Sequence, residues 1–212
     1  GYELSLGWQD MFKLAGKPFA YQINLTFNDY ISKITKFNNP EKAFAKKYYE
    51  GMRIGEIWGY HIDGMFATDE EAANYQVDQR RVNDIINSSS GSLKGLHAGD
   101  LRFADLDGDN IISTGEDTVD DPGDRRIIGN SEPRYQYGAN MAFQWCGFDF
   151  SIFFQGIGRM DWYPASEAEL FWGPFNRPYA TFLPKNFLEQ CWSEDNPNAY
   201  FPRPRAYVAF DN

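Results

Sequence analysis

Cysteine and histidine are scarce in this sequence, which has two of each among its 212 residues. Two cysteines are too few for a disulfide scaffold, and together with two histidines they do not make the usual zinc-binding sets. The sequence also has no run of about 20 apolar residues, the length that a membrane-spanning helix needs. These shortages exclude a disulfide-rich small domain, a zinc-cluster protein and a helical membrane protein.

Basic residues are in the minority, since 20 Lys and Arg face 30 Asp and Glu and leave a net charge of −10. The excess is concentrated between Asp100 and Asp124, where nine acidic residues accompany a single base, Arg102. A negative charge is unfavourable for binding nucleic acid through its phosphates. The acidic stretch instead predicts a segment that attracts cations or stays solvated.

Aromatic residues and glycine, in contrast, are abundant. Phe, Trp and Tyr make up 17% of the chain, and 19 Gly and 11 Pro accompany them. Aromatic residues favour strands, while Gly and Pro favour turns and interrupt helices. The composition therefore predicts an all-β protein.

Four segments alternate between apolar and polar residues with a period of two, as strands do. They are residues 2–9, 19–28, 135–145 and 148–155, and in each one face is apolar or aromatic while the other is polar or small, with Phe153 as the exception. A soluble β-sandwich and a transmembrane β-barrel both produce this pattern. The segment lengths and the aromatic residues at the ends of the apolar rows are typical of barrel strands, but residue types alone leave both folds open.

The connections between the four segments favour the barrel. The first and last connections, residues 10–18 and 146–147, are short, and both fall on the same side, whereas residues 29–134 form a long one. Outer-membrane barrels combine short periplasmic turns with long extracellular loops. The sequence thus predicts an antiparallel transmembrane barrel segment with extracellular loops at residues 29–134 and 158–212.

Short helices are predicted inside these loops. The first covers residues 41–49, and the second covers residues 69–87 and begins with a capping box of Thr68 and Glu71. A further short helix is predicted over residues 184–192, because Pro184 fits the first turn of a helix. Residues 55–66 and 100–104 are predicted to be strands.

The strongest chemical motif is the acidic segment of residues 105–116, which fits the twelve-residue calcium-binding loop. Asn110 stands at the sixth position, where the loop needs a residue that tolerates a left-handed backbone. The alternative is a solvated turn without a metal. The spacing predicts one Ca²⁺ bound by Asp105, Asp107, Asp109, the Ile111 carbonyl, Ser113 and Glu116.

Several aromatic residues fall in the predicted loops, where their rings could stack on sugars or contact peptide side chains. The alternative is that they pack the loops against one another. No serine elbow, zinc pair or phosphate-binding loop occurs, so the sequence predicts a protein that is not an enzyme. The candidate substrate-binding residues are Trp58, Tyr60, Trp162, Tyr163 and Trp172.

Five short segments of the sequence together resemble the SusC/RagA family, the TonB-dependent outer-membrane nutrient importers of Bacteroidetes. The matching segments are GDL at residues 99–101, DLDGDNI at 105–111, DRRIIGN at 124–130, YQYG at 135–138 and GFDFSIFFQG at 147–156. The sequence departs from the family pattern at Ser131, where the family more often has proline, and in the acidic insertion of residues 114–123.

The resemblance implies that residues 1–212 are one segment of a TonB-dependent receptor barrel domain in the cell outer membrane. It also implies import of an oligosaccharide or a peptide, with a SusD-like surface lipoprotein and the TonB complex as partners and with outer-membrane lipid around the barrel. The competing interpretation is a secreted, calcium-stabilised β-sandwich module that binds glycans.

Overall fold

The computed structural model describes residues 1–82, 95–164 and 182–204. These residues form two compact units. Unit 1 comprises Gly1–Lys36, Glu50–Glu56 and Gly129–Trp162, and unit 2 comprises Phe37–Tyr49, Ile57–Ile128 and Tyr163–Asn212. Among the described residues strands predominate and helix is confined to two short pieces, which confirms the prediction of an all-β protein. No described helix has the length and hydropathy to cross a membrane.

Unit 1 is built on a four-stranded antiparallel sheet. The four alternating segments of the sequence are its strands, and two of them run well beyond the alternating residues, to Leu14 and Arg159. The bounds are β1 (Tyr2–Leu14), β2 (Lys17–Asp29), β7 (Arg134–Trp145) and β8 (Phe148–Arg159). The spatial order is β1-β2-β7-β8, so each of these four strands lies beside the next of the four along the chain, in a simple up-and-down arrangement.

Two tight turns join these strands at one end of the sheet. Ala15 and Gly16 connect β1 to β2 with φ values of 49° and 79°, and Cys146 and Gly147 connect β7 to β8 with φ values of 52° and 83°. Positive φ at both central residues is the mark of a type I′ turn, whose twist matches that of the flanking strands. The connection predicted for residues 10–18 is therefore a two-residue turn. The end of β2 and the start of β7 lie at the opposite end of the sheet.

The first turn leads to a stability prediction. Ala15 lies in the left-handed region, which costs an L-residue with a Cβ about 1 kcal/mol or more. We expect Ala15→Gly to increase the free energy of unfolding by about 0.5–1 kcal/mol, measured by urea denaturation. The control is Ala20→Gly within β2, which should lower the stability by a similar amount, because glycine weakens a strand interior. A decrease in both variants would contradict the assigned turn.

The strand register gathers the four apolar patterns on one face of the sheet. Because residues directly opposite each other in an antiparallel pair point to the same face, cross-strand rows can be followed across all four strands. Two apolar rows are Leu6, Leu25, Ala139, Phe154 and Trp8, Ile23, Met141, Ile152. The row between them, on the opposite face, is Gly7, Asn24, Asn140, Phe153. The sheet is thus apolar on one side and mainly polar on the other.

The apolar face of the sheet is open to its surroundings. Leu6, Trp8 and Phe148 expose 55%, 64% and 78% of their surface, and no described residue covers them. A soluble sandwich would bury these side chains against a second sheet. A contiguous exposed face of this kind marks contact with another apolar phase or protein.

An ion pair links β2 to β7 at the end of the sheet opposite the turns. The carboxylate of Asp29, 4% exposed, accepts hydrogen bonds from Nε and Nη2 of Arg134 and from the backbone amide of Tyr135. The hydroxyl of Tyr2 also lies 3.5 Å from this carboxylate. The pair therefore connects the last residue of β2 to the first residue of β7.

The remaining described strands form two small two-stranded sheets. They pair β3 (Glu56–Tyr60) with β6 (Arg125–Asn130) and β4 (Ile62–Met65) with β5 (Leu101–Phe103). Unit 2 has its own small core, in which Val82, Phe103 and Ile112 are buried and Tyr60 and Leu101 pack around them.

Thr68 caps a helix as predicted, but the Glu71 carboxylate accepts from the Ala67 amide rather than from the Thr68 amide of a full capping box, and the helix is short. The Thr68 hydroxyl accepts a hydrogen bond from the Glu71 amide and starts α1 (Asp69–Ala73). The helix does not continue to residue 82, because Asp78 instead pairs in parallel with Ile111. The prediction for residues 83–87 lies outside the described residues. In residues 182–204, the part of the tail that the structure describes, helix is limited to α2 (Phe187–Gln190), which is shorter than the predicted residues 184–192.

The helix predicted over residues 41–49 is wrong. The Asn39 side chain donates to the carbonyls of Ala43 and Tyr48 and accepts from the Ala43 amide. Ala43 also forms a bridge with Thr118. These bonds occupy backbone groups that a helix would use internally, so the segment has an irregular conformation.

Candidate functional site

The acidic segment of residues 105–116 forms a compact loop in unit 2. Asp105 organises it, since its two carboxylate oxygens accept hydrogen bonds from the amides of Gly108 at 2.7 Å and Asn110 at 2.9 Å. Asn110 has a φ of 64°, the left-handed conformation that its position in a calcium-binding loop requires. The chain thereby folds back over Asp105 and turns the following carboxylates towards it.

Three carboxylates meet in this loop. Asp105, Asp107 and Asp109 each offer an oxygen atom, and these atoms lie within 4.8 Å of one another. Calcium–oxygen distances are about 2.3–2.6 Å, so oxygens on opposite sides of one ion lie about 5 Å apart. The spacing and the donor chemistry of the three residues fit a Ca²⁺ ion.

The electrostatics of the loop also favour a cation. Partial desolvation raises the pKa of Asp107, and the charges of Asp124, Asp109 and Asp105 raise it further. Desolvation acts in the same direction on Asp105, but hydrogen bonds from the amides of Asn110 and Gly108 outweigh it and lower the pKa of that carboxyl. Because the carboxylates repel one another, a bound cation would relieve this repulsion.

The remaining predicted ligands occupy different environments. Ile111 is held in place by Asp78, whose amide donates to the Asn110 carbonyl at 2.8 Å and whose carbonyl accepts from the Ile112 amide at 2.9 Å. The Ser113 hydroxyl accepts from the Gly115 amide at 3.1 Å. Glu116 is exposed and is not part of the three-carboxylate group.

Asp124 is a structural residue of this loop that the sequence analysis did not assign. It is fully buried, and its two carboxylate oxygens accept from the amides of Leu106 and Ser113, both at 2.7 Å. These bonds hold together the two ends of the acidic turn. The only signal in the sequence was its place at the start of the DRRIIGN segment, since its burial depends on the tertiary structure.

Two of the predicted substrate-binding aromatic residues pack against other rings. The ring centroid of Trp58 lies 4.8 Å from that of Phe44, and the centroid of Tyr60 lies 5.9 Å from that of Phe103. Such contacts stabilise the loops of unit 2 and leave less of each ring available for a ligand.

The other three aromatic candidates lie in different parts of the chain. Trp162, in unit 1, exposes 71% of its surface, and Tyr163, in unit 2, exposes 42%. Trp172 lies outside the described residues. Substrate binding by the five aromatic residues therefore stays a prediction.

The up-and-down antiparallel sheet with one exposed apolar face is of the kind found in β-barrels. No family model matches the chain. It is 26% identical to TonB-dependent receptor P3 of Formosa agariphila over 217 residues, which cover 96% of this chain and 18% of that protein. It is 27% identical to TonB-dependent receptor P39 of the same organism over 175 residues, which cover 70% of this chain and 16% of that protein.

These similarities relate the chain to TonB-dependent receptors. The all-β sheet fits a segment of a receptor barrel, in agreement with the fold predicted from the sequence. The chain spans less than a fifth of the length of the relatives that it matches.

Proposed function

We propose that the complete protein is a TonB-dependent receptor of the SusC/RagA type, which imports a large nutrient, either an oligosaccharide or a peptide, across the outer membrane. The observation that carries this proposal is the exposed apolar face of the sheet. From Tyr2 to Phe12, ten steps of about 3.4 Å give about 34 Å along the strand. At a tilt of about 40° they cross about 26 Å, close to the apolar band of an outer-membrane barrel, which is about 25 Å tall.

Aromatic rings at both ends of the apolar face support the same proposal. Near the turns, ring centroids are 5.1 Å apart for Phe12 and Phe19, 6.1 Å for Phe19 and Phe143, and 6.2 Å for Phe143 and Phe150. Tyr2 and Phe27 form a pair at the other end, 6.0 Å apart. Barrels carry such girdles where their surface meets the lipid headgroups.

The proposed partners follow from this assignment. The TonB complex would engage parts of the receptor outside these 212 residues, and a SusD-like lipoprotein would cooperate with the extracellular loops in capturing the nutrient. The receptor would act as a transporter and not as an enzyme.

Cell fractionation and transport measurements test this proposal. We expect the full-length protein to sediment with the outer membrane and to need detergent for extraction. Nutrient uptake that depends on the receptor should be lost when TonB is deleted. A protein that is released into buffer without detergent would instead be the secreted β-sandwich glycan-binding module.

We further propose that the acidic loop binds one Ca²⁺. The closely spaced oxygens of Asp105, Asp107 and Asp109 would supply the main charge, and Ile111, Ser113 and Glu116 are the additional ligands predicted by the loop spacing. No pair of long helices flanks the loop within the described residues, so the ion would stabilise the loop rather than operate a sensor switch.

A calcium titration with limited proteolysis tests the metal site. We expect Ca²⁺ at about 10⁻⁴–10⁻³ M to slow cleavage between Asp100 and Arg126, because extracellular calcium sites often bind in this range. Asp107→Asn should weaken this protection about tenfold or more, since it removes one of three charged ligands while retaining a side-chain oxygen.

The matched control is Asp63→Asn, an exposed residue of β4 outside the loop, which should leave the calcium response unchanged. The metal assignment fails if cleavage is equally fast with and without Ca²⁺, or if both variants respond like the unaltered protein.

A further inference from the structure

Unit 2 contains a groove of about 620 Å³ that is separate from the acidic loop. This volume is within the range typical of small-molecule binding sites. Four stretches of the chain line it, namely residues 67–69, Ala98, residues 192–194 and residues 203–204. The groove combines fixed charges, hydroxyl groups and a few small apolar surfaces.

The carboxylate of Asp69 is held at one wall of the groove. Its Oδ1 accepts a hydrogen bond from the Ala98 amide at 2.8 Å and lies 3.4 Å from Nδ1 of His97. The Ala98 amide lowers the pKa of Asp69 against the opposing effect of partial burial, and His97 and the charge of Arg203 lower it further. Asp69 therefore remains ionised and oriented, and most of its side chain is exposed.

The guanidinium of Arg203 is held in place just as firmly. Its Nη1 donates to the Ala98 carbonyl at 2.9 Å, and its backbone amide donates to the Gly99 carbonyl at 2.9 Å. The guanidinium carbon lies 5.8 Å from the ring centroid of Trp192. That ring packs directly on Gly99, where a Cβ would lie 2.3 Å from it, so only glycine allows this approach.

Asp69 and Arg203 both line the groove, but they do not form an ion pair with each other among the described contacts. The lining of the groove thus contains a fixed acceptor group and a fixed donor group. Thr68 and Ser193 add hydroxyl groups to the lining, and Glu194 adds a second carboxylate.

We infer that this groove binds a sugar unit of a neutral oligosaccharide, with hydroxyl groups of one ring bridging Asp69 and Arg203. Each sugar hydroxyl donates one hydrogen bond and accepts up to two, so neighbouring hydroxyls satisfy a carboxylate and a guanidinium together. Among the described lining residues two carboxylates accompany one guanidinium, and this net negative charge disfavours acidic or sulfated sugars. The inference rests on the proposed transport function and assigns it a substrate class.

The test uses the full-length receptor in its host bacterium. A strain that lacks the receptor gene is complemented with the unaltered receptor or a variant, and is supplied with malto-, xylo- and manno-oligosaccharides together with a tryptic digest of casein. Depletion of each component from the medium is followed by mass spectrometry. We expect receptor-dependent depletion of a neutral oligosaccharide and not of peptides.

Two variants, each of which removes one negative charge, then test the groove. Asp69→Asn retains an oxygen for the Ala98 amide but loses the charge-assisted bond to the ligand, so the uptake rate at low substrate concentration should fall about tenfold. Glu70→Gln, at the exposed neighbouring residue, should leave the rate unchanged. Outer-membrane abundance and thermal unfolding of both variants should match those of the unaltered receptor.

The possible failures are distinguishable. Absence of any receptor-dependent uptake would contradict the proposed transport function, and the inference would fall with it. Receptor-dependent uptake of peptides alone would uphold transport and overturn the sugar assignment. Receptor-dependent uptake of an oligosaccharide at the same rate in Asp69→Asn and Glu70→Gln would show that the groove does not bind it.

Discussion

Met141→Arg and Leu25→Arg are each expected to destabilise the membrane-inserted receptor by about 2–4 kcal/mol and to reduce its assembly in the outer membrane. Both residues lie on the apolar face in the middle of their strands, in the two adjacent rows that the register defines. Arginine at the bilayer midplane of a barrel carries a cost of this size, because its charge loses hydration in hydrocarbon. Assembly is measured by heat-modifiable migration on gels, and stability by urea unfolding in lipid vesicles.

The controls for this prediction are Asn140→Arg and Asn24→Arg. These two residues pair with each other across β2 and β7 and lie on the polar face, each next in sequence to one of the tested residues. The receptor should tolerate arginine there, because the polar face of a barrel strand faces the aqueous interior. Equal assembly of all four variants would refute the assignment of the two faces.

A variant at a third position tests whether lipid or another protein surface covers the apolar face. Phe148 lies on the apolar face beside the second turn, at the end of the sheet that carries the larger aromatic cluster. In a barrel the cost of arginine falls to about 0–1 kcal/mol near the membrane interface, so Phe148→Arg should be much milder than Met141→Arg. A penalty that is equally large at both depths would favour a protein interface over lipid as the covering of this face.

Asp29→Ala is expected to lower the free energy of unfolding by clearly more than the loss of an exposed ion-pair partner, because the remaining guanidinium has little surface through which water can replace the carboxylate. The side chains of Asp29 and Arg134 expose only 3% and 17% of their surface. Without the carboxylate, the guanidinium and the Tyr135 amide would remain desolvated and without their acceptor. Denaturation in urea, with intrinsic tryptophan fluorescence as the signal, measures the loss.

Two further variants show whether burial is the cause. Asp120→Ala removes the carboxylate of the Lys42 ion pair, whose side chains are 70% and 37% exposed, and should cost no more than about 1 kcal/mol. Combining Asp29→Ala with Arg134→Met should recover part of the loss, because the unpaired charge is then also removed. Similar small effects of Asp29→Ala and Asp120→Ala would show that the Asp29 pair does not hold β2 to β7.

The sequence by itself determined those features that depend on local chemistry. Period-two alternation identified the four strands of the main sheet, since successive side chains of a strand point to opposite faces whatever the strand pairs with. Thr68 marked the start of α1 because its hydroxyl bonds to an amide three residues away. The left-handed conformation of Asn110 likewise followed from a loop pattern whose bonds lie within a few residues.

Only the tertiary structure decided the features that depend on contacts between distant residues. The helix predicted over residues 41–49 does not form, because Ala43 is bonded by the Asn39 side chain and pairs with Thr118. Trp58 and Tyr60, predicted from the sequence as substrate-binding candidates, pack against the rings of Phe44 and Phe103, which no local pattern predicts. The groove that joins Asp69 to Arg203 is assembled from segments more than 100 residues apart. A repeating pattern specifies which way a side chain points, but only the folded chain specifies what it meets.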